Sequence, residues 1–107
     1  MEFHKNTTIY AVAHHRETKW GDREHEEIIG WLETKELATE QIRLLIKEME
    51  LEYKSQGFDK TEIIDNLESS NYGALFVNKV YNKVWHNFTI DKFALNKIEH
   101  SVESLIN

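Results

Sequence analysis

The sequence predicts an α+β protein: an antiparallel sheet of three or four strands, one long helix over about residues 34–54 packed on one face, and short additional helices. Two patterns and their adjacency carry that prediction. Ala38, Ile42, Leu45, Met49 and Tyr53 recur at steps of 4, 3, 4 and 4, which stacks them on one face of a helix, and Ile46 widens the stripe. Thr8 to Arg16 alternates instead, with Ile9, Ala11 and Ala13 on one side and Tyr10, Val12 and His14 on the other, which is the period of a strand. A helix this one-sided needs an apolar surface to cover, and the β-rich runs around it supply one.

Taken in order, the first strand is followed by a charged connection over residues 17–26 that holds Gly21 and Trp20. Ile28 to Leu32 reads as a second short strand, so the two form a hairpin around that connection. The helix opens at once: Thr34 suits an N-cap, Glu36 suits the positive end of the helix dipole, and Gly57 stands where a left-handed residue can end it. Asp59-Lys60-Thr61-Glu62 has capping-box spacing, and Ile63, Ile64 and Leu67 then predict a short helix, broken by Ser69 to Gly73. Residues 74–88 fit two structures equally. Val77, Val80, Tyr81, Val84, Trp85 and Phe88 make one helical face, while the same β-branched and aromatic residues suit a hairpin turning near Asn82-Lys83. Phe88 to Leu95 reads as a further strand, and Ile98, Val102, Leu105 and Ile106 as one face of a C-terminal helix. Trp31 and Trp85 are expected in the core.

Three stretches, Ile9-Tyr10-Ala11-Val12, Leu32-Glu33-Thr34-Lys35-Glu36-Leu37-Ala38 and Ile90-Asp91-Lys92-Phe93-Ala94-Leu95, follow one another in a familiar order. The layout resembles a group of small, mostly uncharacterised phage and bacterial domains. In those, an IYxV strand leads to a second strand, a helix opened by F-S/T-T-K-E-x-A, and a late strand ending in I-x-K-F-x-L. The resemblance covers about half the chain and leaves residues 57–87 without a counterpart. It implies the fold and a phage or mobile-element origin, and no activity.

A chain of 107 residues is the size of one domain, and 40% hydrophobic residues suffice for one core. No apolar run approaches the ~20 residues that span a membrane, and the first ten residues lack the pattern of a secretion signal, so a cytoplasmic location is expected, the host's if the protein is phage-encoded. Zero cysteines exclude disulfides and thiolate catalysis. The net charge of −6 is unevenly placed: residues 22–68 hold 14 of the 19 acids against 6 basic residues, and each flank carries +1. Direct binding to nucleic acid or to an anionic membrane needs the opposite sign. Helices rich in solvated Glu give such a span in many proteins; a surface that attracts a basic partner gives it too.

No constellation announces a reaction. There is no G-x-S-x-G nucleophile setting and no phosphate-cradling loop among four glycines. Of six histidines, His14 and His15 are adjacent and so face opposite sides of a strand; His25 could join one of them across the hairpin, with Glu24 or Glu26 as a carboxylate ligand, but the spacing is unspecific and no metal or other cofactor is expected. The chain is therefore read as a non-enzymatic acidic binding protein, anti-CRISPR-like, that blocks a host protein such as a nucleic-acid-dependent defence enzyme. Trp20 and Arg23 would anchor the contact, with Glu24, Glu26, Glu27, Glu33 and Glu36 facing the basic groove. The alternative is a protein that sequesters a nucleotide-type ligand through Tyr10, His14 and Arg16, with Trp20 and Arg23. A metal-dependent enzyme at the His14/His15/His25 hairpin is the third reading. Leu37, Leu44 and Leu51 repeat at seven residues off the main stripe; the 58–70 segment is expected to cover them, and a self-association seam that would allow a homodimer is the other reading.

Overall fold

The computed structural model describes residues 8–18 and 23–94. They run β1 (Thr8–Thr18), β2 (Arg23–Leu32), α1 (Lys35–Ser55), β3 (Lys60–Asn66), α2 (Leu67–Ser70), β4 (Tyr72–Lys79) and β5 (Asn82–Ala94). The five strands form one antiparallel sheet in the order β2-β1-β5-β4-β3, with α1 across one face.

α1 begins and ends as its sequence requires. Thr34 caps it, its Oγ1 accepting from the Leu37 N–H at 3.1 Å. At the other end Phe58 N–H reaches the Tyr53 carbonyl and Gly57 N–H the Lys54 carbonyl, each at 3.1 Å, a Schellman closure with Gly57 at φ 92°. Phe58 then packs edge-on against Tyr53, their centroids 5.0 Å apart, which seals the turn with an apolar contact. Ala38, Ile42 and Ile46 are buried against Val12, Leu67, Leu75, Val77, Phe88 and Ile90.

The sheet is larger than the three or four strands expected: before the helix, β1 and β2 run on to Thr18 and from Arg23, through most of the connection expected over 17–26, and two further differences arise after the helix. The 58–70 segment is strand β3 with a single helical turn behind it, in place of a short helix: its alternation points Thr61 and Asp65 at α1, where Thr61 Oγ1 donates to Glu50 at 2.8 Å and Arg43 bonds Asp65 at 2.8 Å. These helix contacts, together with the full ladder to β4, outweigh the local capping pattern. Residues 74–88 belong to a hairpin, β4 and β5, whose turn is Val80-Tyr81 and not Asn82-Lys83. Val84, His86, Phe88 and Ile90 alternate toward the helix, a period of two that runs through the boundary drawn at Phe88.

No layer of the described residues covers the opposite face of the sheet, and that face holds the tryptophans expected in the core. Trp31 is 50% exposed and rests against Phe93; Trp85 rests against Phe76. The rings shield Ala11, Ala74 and Asn87, which are buried beneath them. Asn87 Oδ1 accepts from the Trp85 indole N–H and the Tyr72 hydroxyl, so its burial leaves no orphaned acceptor. Leu37, Leu44 and Leu51 are not covered by the 58–70 segment: they stand 46%, 58% and 61% exposed on the outward side of α1. The C-terminal helix expected over 98–106 lies outside the described residues.

Two backbone positions test this account with opposite signs. Val80, at φ 53°, holds a β-branched residue in the left-handed region, so Val80→Gly should raise stability by about 1 kcal/mol in urea titration. Gly57→Ala should lower it by about 1 kcal/mol, since an added Cβ meets both the positive φ and the Lys79 side chain.

Candidate functional site

The most concentrated cluster of functional side chains lies where the C-terminal half of α1 crosses β1 and β5. β1 is central in its half of the sheet, paired with β2 and β5, so every second residue from Tyr10 to Arg16 points at the helix side. His14 and Arg16 arrive there together, beside His86 of β5 and under Tyr53 from the last turns of α1. His14 Nε2 and His86 Nδ1 are 3.0 Å apart, and the Tyr53 hydroxyl lies 2.7 Å from His86 Nε2. The imidazoles stack with centroids 5.2 Å apart, and Phe88 stacks on His14 from the next position.

His86 is only 4% exposed. Burial, then the neighbouring His14 and Arg16 charges, push its pKa down to about 4, so it is neutral at pH 7. A neutral imidazole has one donor and one acceptor, which sets a continuous chain: if Tyr53 donates to Nε2, Nδ1–H donates to His14, and the reverse order is equally complete. Burial raises the Tyr53 pKa, partly offset by Arg16, so the phenol stays protonated. The arrangement can relay a proton between a half-buried phenol and a half-buried imidazole, and it satisfies every polar ring atom of His86 in the core.

The expected residues divide between this cluster and the other side of the molecule. Of the ligand set Tyr10, His14 and Arg16, Tyr10 stands apart: four residues up the strand, roughly 13 Å away, it packs against the core beside Leu32. Of the partner-binding set, Glu26, Glu27 and Glu33 lie along the β2 edge. Glu26 and Glu27 are exposed on that strand, Glu33 in the turn after it and Glu36 in the first turn of α1. Trp20 is outside the described residues, and Arg23 and Glu24 are placed by backbone position alone, at the start of β2. His14 pairs in register with Glu27 and His15 with Glu26, on opposite faces; no group of three potential metal ligands gathers among the described residues. His86 and Tyr53 were not singled out as site residues by sequence. The signal for His86 was its place in the alternation Val84, His86, Phe88, Ile90.

The charges of α1 are sorted by flank. Gln41 packs on Gly30 of β2, so closely that a Cβ at Gly30 would lie 2.7 Å from its Oε1; Glu48 and Glu52 follow on that flank and are exposed. Arg43 and Glu50 reach β3 on the other flank, which Lys47 and Lys54 share. There Arg43 holds the Asp65 carboxyl below the usual carboxylate range through its hydrogen bond, with Glu68 3.6 Å from the same guanidinium, and Lys54 lies 3.8 Å from Glu50. The acidic span 22–68 is thus partly balanced from within on the β3 side.

No protein-family model matches the chain, and no curated protein and no solved structure matches it either. Among the described residues no helix is long and apolar enough to cross a membrane.

The His86 chain has a measurable signature. The unfolded imidazole titrates near 6.5 and the folded one near 4, so the unfolded state binds more protons as pH falls between those values. Stability should be complete above about pH 6.5 and fall by roughly 2–3 kcal/mol by pH 4, with His86→Gln flattening that slope in denaturant titrations. At pH 7, Tyr53→Phe should cost about 1–2 kcal/mol by orphaning the buried imidazole nitrogen.

Proposed function

We propose that this protein is an acidic binding module that engages a basic surface of a partner protein along its β2 edge. The observation that supports this best is the distribution of charge on α1: Glu48 and Glu52 stand on the flank above β2 with no basic residue of the helix beside them, while Arg43, Lys47 and Lys54 share the flank above β3 with Glu36, Glu40 and Glu50. Glu26, Glu27 and Glu33 continue the negative surface along the edge strand and into the turn after it. Carboxylates spread along one edge compete for a groove built to hold phosphates, so the target class is a nucleic-acid-dependent enzyme, and a host defence nuclease of the CRISPR type is the first to test. The likeness to small phage domains points the same way. Complementary charge of this kind acts mainly on association rate.

A second reading draws on a different observation. His14 and Arg16 come together on the helix side of β1, beside the His86–Tyr53 pair, and an imidazole with a guanidinium can hold a nucleotide-type anion. Mass spectrometry of material carried through purification separates the two readings: a stoichiometric nucleotide would replace the first with the second.

The first reading is tested by inhibition of DNA cleavage by RNA-guided nucleases and by association kinetics against the inhibited enzyme. Glu26→Gln, Glu27→Gln and Glu33→Gln together should slow association about tenfold at low salt and reduce its salt dependence. Binding that is unaffected by both the substitutions and the salt would remove the electrostatic basis of the proposal.

A further inference from the structure

α1 covers the sheet with one side and shows three leucines on the other. Leu37, Leu44 and Leu51 sit at seven-residue spacing, which keeps them nearly in line along a helix of 21 residues. Single exposed leucines are ordinary on protein surfaces. Three in a row on the outward line, each about half exposed, form an apolar ridge of the kind that pairs with another helix.

The charges beside the ridge say which helix. On the β3 side Glu40, Lys47 and Lys54 follow one another at seven-residue spacing; on the β2 side stand Gln41 and Glu48. Turn a second copy antiparallel about Leu44, and Leu44 meets Leu44 while Leu37 meets Leu51. A two-fold axis of this kind sets like flanks against each other, so Glu40 comes within one residue's rise, about 1.5 Å, of the level of Lys47 of the second copy. This happens twice. Lys54 of the second copy falls within two residues of the level of Glu36, and Glu48 comes level with Glu40 of the other copy, on the opposite flank, beside Gln41. In a parallel pair Lys47 would face Glu48, but Glu36 and Glu40 would gain no counter-charge.

We infer that the outward face of α1 is a self-association surface that pairs with a second copy of this chain, antiparallel about Leu44. The recognition is hydrophobic along the ridge and electrostatic beside it, and it leaves the β2 edge uncovered. One helix pair is smaller than a standard interface, so the dimer dissociates in the micromolar range and is not obligate.

Sedimentation equilibrium tests this on the full chain. The wild type should reach twice the monomer mass with rising concentration. Leu44→Glu, which sets two carboxylates against each other on the axis, should weaken association by at least about tenfold. Glu40→Lys and Lys47→Glu should each weaken it, because each sets like charges opposite one another, and the double variant Glu40→Lys with Lys47→Glu should recover it. All these side chains are exposed, and unchanged helical circular dichroism confirms that the variants fold. A wild type that stays monomeric to about 0.5 mM, or a Leu44→Glu variant that dimerises as well as the wild type, would overturn the proposal. A double charge variant no better than the singles would overturn the antiparallel register.

Discussion

One helix has to close one face of a five-stranded sheet, and most of what is distinctive about this protein follows from that constraint. Ala38, Ile42 and Ile46 lie against Val12, Leu75 and Phe88 at the centre of the contact, and each large apolar side chain removed from water there contributes about 1.5–3 kcal/mol. A helix about 10 Å across cannot cover five strands spaced about 4.8 Å apart. The β3 edge of the helix-side face is therefore closed by polar bonds, Arg43 to Asp65 and Thr61 to Glu50, and only Ile46, Ile63 and Leu67 give the groove between them apolar walls. Exposed ion pairs contribute little to stability, so these contacts set the angle of α1 more than they hold it down.

The same constraint explains the uncovered face. Without a second helix layer, that side shields its own backbone with large rings leaning over small residues, Trp31 and Phe93 above Ala11, and Phe76 and Trp85 around Ala74 and Asn87. Asn87 is tolerated under them because Tyr72 and Trp85 both donate to its oxygen. On the helix side His86 plays the corresponding part: an imidazole in a buried strand position, kept neutral and bonded at both nitrogens. Two adjacent residues of β5 thus carry buried polar side chains to opposite faces, and each has its own aromatic partners.

How much of this the sequence disclosed depended on whether local pattern and tertiary contact agreed. In α1 they agreed: stripe, Thr34 cap and Gly57 stop all appear where the residues put them. In β3 they disagreed. Asp59 to Glu62 has the spacing of a helix start, but an edge strand needs only a partner, and β4 offered a full ladder. In β5 the alternation was hidden because one of its four inward residues is a histidine, which reads as a surface residue until the tyrosine that buries it is known. His14 and Arg16 could be named from β1 alone, whereas His86 lies 72 residues from its bonding partner His14, a distance no local pattern bridges. The tryptophans were placed in the core on hydrophobicity, which does not distinguish a buried face from a bare face paved with rings.

The two surfaces left open by this architecture are coupled through the symmetry that would join them. An antiparallel pair of α1 helices sets like flanks against each other, so both β2 flanks fall on one side of the dimer and both β3 flanks on the other. Glu48 of each copy then lies eight residues along from its mate, about 12 Å at the helical rise, beyond the ~8 Å screening length at physiological salt. Self-repulsion there is weak, yet the acidic edges of both copies face the same way. A basic partner would meet a negative surface twice as long as either copy offers alone, and two such edges held together bind with the advantage of effective concentration. Pairing through the leucine ridge would thus strengthen the interaction at the β2 edge without contributing a single contact to it.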